Sequence, residues 1–97
     1  MLNREMLVSV AGQMMAGTQI EVNGRKSRVT RTGAQRLRTV RFLMDGKEYQ
    51  AIEQNPEKPS RWGKLARDGK RVVQFRDLDS QKYVAVAVDD KVQEYSR

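Results

Sequence analysis

The chain reads as an α+β fold: mainly an antiparallel β meander of about six to seven strands, forming a curved sheet or a small barrel, with an N-terminal helix and a short helix near residues 60–68. Three features carry this expectation. Apolar residues recur at helical spacing over residues 3–16 and again near 60–68, and elsewhere the period drops to two. One turn recipe also repeats, as Val22-Asn23-Gly24-Arg25, Met44-Asp45-Gly46-Lys47 and Val88-Asp89-Asp90-Lys91.

Size and composition bound the rest. With 97 residues the sequence fits one domain, residues 1–97, and a chain of this length buries only roughly 60 to 65% of its unfolded surface. Hydrophobic residues make up 38% and charged residues 32%, a balance that suits a folded soluble protein better than a disordered one. There is no cysteine, which removes disulfides, thiolate chemistry and thiolate-bound metals, and no histidine, which removes the usual base near neutral pH and the commonest metal ligand. No catalytic constellation, metal site or cofactor is therefore expected. The apolar run Met6–Ala11 follows Arg4 and Glu5 and is far shorter than the ~20 residues of a membrane span. The expected setting is cytoplasmic, without membrane contact.

The first element is a helix over 3–16, with Asn3 as N-cap, Leu7, Val10, Ala11 and Met14 on its apolar face, and Gly17 as a left-handed stop. Met1, Met6, Met14 and Met15 would suit an adaptable partner surface, but a helix lying over a sheet accounts for the same pattern. Hairpins follow over 18–53. Asn-Gly and Asp-Gly supply the two positive φ angles of a type I′ turn. Folding about Asn23-Gly24 pairs Glu21 with Lys26, Gln19 with Arg28 and Ile20 with Ser27, leaving Ile20, Val22 and Val29 on one face. Folding about Asp45-Gly46 pairs Phe42 with Tyr49, Val40 with Ala51 and Arg38 with Glu53. Arg36 and Arg38 share parity with Val40 and Phe42, so either a bulge near Thr39 reverses the alternation or those arginines lie beyond the core's rim.

Asn55-Pro56-Glu57-Lys58-Pro59 breaks regular structure, and Ser60 then caps a short helix with Trp62, Leu65 and Ala66 on its apolar side and Gly69 at its end. Trp62 serves either as a plug for one end of the sheet or barrel or as a stacking face beside Arg61, Lys64 and Arg67. The C-terminal hairpin, about 70–95, joins strands 70–78 and 82–88 near Asp79-Ser80 and ends in a short return over Val92–Tyr95. Val73 and Phe75 with Val84, Val86 and Val88 form its expected core face. Residues 83–88 are apolar on both parities, as befits a strand covered on each side.

One stretch stands out chemically. Residues 25–41, RKSRVTRTGAQRLRTVR, hold seven cations and no carboxylate, while the other eighty positions balance twelve against twelve, so the net charge of +7 resides here. Self-repulsion of that density is relieved by an anion. Arg25, Lys26, Arg28, Arg31, Arg36, Arg38 and Arg41 are expected on two adjacent strands and the Thr32-Gly33-Ala34 loop between them, whose polar tip Thr30–Gln35 offers hydroxyls and amides, forming one cationic band for a phosphate backbone, joined by Arg61 and Trp62 as adjuncts. Arginine's planar fork suits bidentate phosphate contacts. The expected partner is DNA or RNA, bound without sequence preference; a solvated edge that blocks sheet pairing explains the same residues without a ligand. Residues 77–97 carry five carboxylates against three cations, which makes an acidic protein partner or head-to-tail self-association the alternative. Tyr49, Tyr83 and Tyr95 could move protons in phosphodiester cleavage, but no spacing fixes such a site; Asp77, Asp79, Asp89 and Asp90 lack the glycine and glutamate spacing of a calcium loop, and Asp79-Ser80 and Asp89-Asp90 read more readily as turns.

Overall fold

In the computed structural model, which describes residues 2–95, the chain runs α1 (Arg4–Ala16), β1 (Gln19–Val22), β2 (Arg25–Arg28), β3 (Thr30–Thr32), β4 (Leu37–Met44), β5 (Lys47–Glu53), α2 (Arg61–Arg67), β6 (Val72–Asp77), β7 (Lys82–Val88) and β8 (Lys91–Glu94). Met1, a member of the methionine series above, lies outside the described residues, as do Ser96 and Arg97. All pairings are antiparallel. β1 and β2 form a two-stranded ribbon, and β3 to β8 form a six-stranded meander in chain order. The eight strands form two sheets and do not close into a barrel. The strand beyond the expected count is β3, which occupies the first half of the polar loop anticipated at 30–35.

α1 begins as its sequence dictates, with the Asn3 side chain accepting from the Met6 amide at 3.1 Å. Leu7, Val10, Ala11 and Met14 are buried against Ile20 and Val22 of the ribbon and against Val40, Phe42, Ala51, Val73 and Phe75 of the large sheet. Gly17 does not adopt the expected left-handed conformation: its φ is −156°, because the chain leaves the helix extended and enters β1 two residues later. Gln13 then holds the ribbon's free edge, its side-chain oxygen accepting from the Glu21 amide at 2.8 Å and its nitrogen donating to the Glu21 carbonyl at 3.1 Å. A side-chain amide thus completes a pairing that a further strand would otherwise supply.

The hairpin registers follow the turn chemistry. Asn23, Asp45 and Asp89 all have φ near +53°, and the pairs Glu21–Lys26, Phe42–Tyr49, Val40–Ala51 and Val88–Lys91 form as the alternation requires. β4 pairs without a bulge near Thr39, so Arg38 keeps the parity of Val40 and Phe42 and sits beyond the rim of the core. There it ion-pairs with Glu53 at 3.1 Å and contacts the Met15 sulfur at 3.8 Å.

One core face differs from expectation. Ala85 and Ala87, opposite Phe75 and Val73, face α1, whereas Val86 and Val88 lie on the other face, where they share a small hollow with Trp62 and Leu65 of α2. The register slips between Phe75 and Arg76, a bulge that leaves Val84 alone of the three expected valines packed on the core beneath α1. Both faces of β7 are nonetheless covered. α2 itself ends in a Schellman motif, with Gly69 at φ +89° and its amide bonded to the Ala66 carbonyl, and the Lys70 amide bonded to Leu65. Gly63 is required there for packing, since a Cβ would overlap the Lys58 carbonyl.

Candidate nucleic-acid interface

Strand parity decides where the cations point. Ile20 and Val22 face the core, so their partners Ser27 and Arg25 share that side of the ribbon, and Lys26 and Arg28 project from the other with Glu21 and Gln19. In the large sheet Arg31 pairs with Arg38 on the face that carries α1, whereas Thr30, Thr32, Thr39, Arg41 and Gln50 lie on the opposite face. Arg36 sits on the β3–β4 turn. The expected band is therefore divided: Arg31 and Arg38 line a hollow beside Met15, Gly17 and Val29, and Arg28 and Arg41 line a second groove on the far side of the sheet.

Two of the seven cations have a carboxylate. Arg38 and Glu53 form a half-buried pair that also ties the Arg38 amide to Glu53 at 3.0 Å, a clamp across β4 and β5. Arg41 approaches Glu48 at 3.7 Å, but both side chains are largely exposed, and such pairs contribute at most about 1 kcal/mol. Arg25, Lys26, Arg28, Arg31 and Arg36 have no carboxylate within 4.0 Å among the described residues. Arg31 is engaged otherwise, donating to the Arg36 carbonyl at 3.1 Å and so bracing the turn.

The groove on the far side, about 480 Å³, is walled by Ser27 and Arg28 of β2, Thr30 and Thr32 of β3, Arg41 of β4 and Gln50 of β5. Thr30 and Thr39 hydroxyls lie 3.3 Å apart at its base. Two arginines, Ser27, three threonines and Gln50 thus line the groove with no carboxylate among the lining residues, residue types suited to phosphate oxygens. Sequence reasoning had the two arginines and the Thr30 and Thr32 hydroxyls, but missed Ser27, Thr39 and Gln50. The alternation Thr30-Arg31-Thr32 was the available signal that this segment is a strand with its hydroxyls on one side.

The turn that closes β3 onto β4 has its own feature. Gly33 and Arg36 both take positive φ, +79° and +54°, and the Arg36 amide bonds to the Gly33 carbonyl at 3.0 Å. A left-handed conformation costs an ordinary residue roughly 1 kcal/mol or more, so glycine or asparagine would be the stable choice where arginine stands.

Arg61 and Trp62 do not join this surface. Trp62 is half-buried on α2 over β7 and β8, its ring covered by the Arg61 guanidinium at 4.7 Å. From β4 to β7 is three strand spacings, about 14 Å. Tyr83 and Tyr95 lie at that same far edge, and with Tyr49 they line a cleft of about 550 Å³ that also holds Lys47, Asp77 and Glu94. Burial pushes the Tyr95 hydroxyl up, with a hydrogen bond from Trp62 opposing. In the same cleft Asp77 is held below the usual carboxylate range by its hydrogen bond from Lys47, and Lys47 is raised by the same contact. Asp77 also accepts from the Asp79 and Ser80 amides, so its oxygens fasten the β6–β7 turn. Asp89 serves similarly, accepting from the Arg71 amide. Among the described residues no group of three or more His, Cys, Asp or Glu could hold a metal ion, and no helix is long and apolar enough to cross a membrane.

No protein-family model, curated protein or solved structure matches this chain.

Proposed function

We propose that the protein binds the phosphate backbone of nucleic acid without sequence preference, through the groove between β2 and β4. The observation that carries this reading is the groove's composition: Arg28 and Arg41 line it with Ser27, Thr30, Thr32, Thr39 and Gln50, and no acidic residue lines it. Lys26 extends the field along the ribbon, and Arg25 and Arg36 stand at the neighbouring turns. On this reading Arg31 and Arg38 brace the scaffold, and Arg61 and Trp62 have no part. The setting in this proposal is the cytoplasm.

Head-to-tail association of a basic and an acidic end is the weaker reading. Of the five carboxylates in residues 77–97, Asp77 is paired with Lys47, Asp89 with Lys70 and Glu94 with Arg4, which leaves little acidic field to meet the cations. An acidic surface on another protein remains the competitor that experiment must separate.

A mobility-shift titration with DNA and RNA at two salt concentrations tests the proposal. Binding should weaken steeply with salt, by about 0.7 to 0.9 in the log–log slope for each phosphate contact. Arg28→Glu should reduce that slope and the affinity together. A complex indifferent to salt, or indifferent to Arg28→Glu, would refute it.

A further inference from the structure

Where the aromatic residues lie bears on which form of nucleic acid the groove takes. The chain has six of them. Phe42, Tyr49 and Phe75 are buried in the core, and Trp62, Tyr83 and Tyr95 stand at the β7–β8 edge, on the other side of β5 and β6. None lines the cationic groove. Single strands are usually held by stacking unpaired bases on aromatic rings, each of which raises affinity roughly 5- to 150-fold, and this surface offers no ring for a base to reach.

We infer that the groove takes double-stranded nucleic acid in preference to single strands, an inference that rests on the backbone-binding reading above. Without stacking, affinity comes from counterion release. A duplex carries one charge per about 1.7 Å of axis and gains about 0.9 in log–log slope per contact, against about 0.7 for a single strand. For three contacts at about 50 mM salt that difference amounts to roughly six-fold in favour of the duplex. The support is also shaped for a stiff ligand. Arg28 and Arg41 stand on paired strands, β2 with β1 and β4 with β5, so their positions are set before binding. Hydroxyls at Thr30 and Thr32, on the groove's face of the sheet, add contacts to phosphate oxygens without reading a base.

The test is fluorescence anisotropy with a labelled 16-base-pair DNA duplex, the matching RNA duplex and the single strand of the same sequence, each at 50 and 200 mM salt, with the wild-type protein, Arg28→Glu and Arg28→Gln. Circular dichroism confirms that the variants are folded. The expected result is tighter binding to at least one duplex than to the single strand, by about six-fold at the lower salt, with both Arg28 variants weakened. A single strand bound as tightly as the better-bound duplex, while Arg28→Glu still loses it, would overturn the duplex preference and leave backbone binding standing. If none of the three probes binds, or the folded Arg28 variants bind like the wild type, the underlying reading falls and the inference with it.

Discussion

At the two ends of the large sheet arginine is put to opposite uses. Around β7, β8 and α2 four of its side chains are occupied: Arg4 donates to the Val92 carbonyl and pairs with Glu94, Arg61 stacks on Trp62, Arg67 bonds to the Pro56 and Lys58 carbonyls, and Arg76 lies over Tyr83, whereas the buried Arg71 Nε has no hydrogen-bond partner among the described residues. Around β2 to β4, five of seven cations lack a carboxylate among the described residues, and hydroxyls surround two of the seven. The same side chain works as a clamp where the fold sets a carbonyl, ring or carboxylate beside it, and as an unmatched charge where it does not. Arg4 also covers part of the exposed β8 edge, a role that does not depend on any ligand. The second end differs in gathering such charges beside a groove with no carboxylate in its lining.

The widest separation between the two ends should appear in binding. Reversing Arg28 and Arg41 together to glutamate removes two charge-assisted contacts, each worth roughly 1.5 to 3 kcal/mol, and should lower duplex affinity at least 100-fold at low salt. Arg61→Glu, at the other end, should change it by less than about five-fold, since its distance from the groove exceeds a Debye length at about 0.1 M salt. Comparable losses from both variants in an anisotropy titration would erase the distinction.

Within the basic stretch itself a second contrast is available. Arg38 is joined to Glu53 and Met15 and belongs with the clamps, although sequence places it among the candidate ligands. Arg38→Ala should cost about 2 kcal/mol, between the values for exposed and buried pairs, and lower the melting temperature by roughly 8 to 16 °C. The folded variant should bind nucleic acid nearly as well as the wild type. A stable Arg38→Ala protein that has lost binding would move Arg38 to the other class.

Much of this was legible in the sequence because it is local chemistry. Asn23-Gly24, Asp45-Gly46 and Asp89-Asp90 fix turns, the turns fix registers, and the registers correctly pair Glu21 with Lys26 and Phe42 with Tyr49. The division of the cations was half legible, since parity alone separates Arg38 from Arg41, yet one flank was expected because Thr30–Thr32 was not recognised as a strand. Other features depend on long-range packing. Arg61 and Trp62 could be placed only once strand order set α2 at the far edge, the Ala85 and Ala87 face follows from a bulge between Phe75 and Arg76, and Gly17 is extended because β1 begins so soon after α1.

The cleft at the far edge should respond to acid through Asp77. Asp77 is held below its ordinary range by Lys47, so the protonated form is disfavoured in the folded protein. Its contribution is present above the unfolded value near 3.9 and is lost as pH falls through the lower folded value. Urea midpoints measured from pH 5 down to pH 2 should therefore fall, and Asp77→Asn should flatten the part of that decline due to this pair while lowering stability at pH 5. Lys47, raised by the same contact, holds its contribution below its unfolded value near 10.4 and loses it as pH climbs through the higher folded value. An unchanged acid profile in Asp77→Asn would remove this pair as a clamp.

The smallest effect tests the comparison at one residue. Arg36 holds a left-handed φ of +54° where asparagine would sit with less strain, and its backbone carbonyl, not its side chain, receives the bond from Arg31. Arg36→Asn therefore keeps the turn's hydrogen bonds and relieves strain, and should raise stability by roughly 0.5 to 1 kcal/mol, or about 2 to 8 °C in melting temperature. If the charge at the turn meets phosphate, the same substitution should weaken duplex binding several-fold and reduce the salt slope by up to about 0.9. Stability and binding would then move in opposite directions, the behaviour of a strained residue retained for a ligand. A variant that is more stable and binds equally well would make Arg36 a solvated charge that merely tolerates its turn, and would shrink the ligand surface to the groove around Arg28 and Arg41.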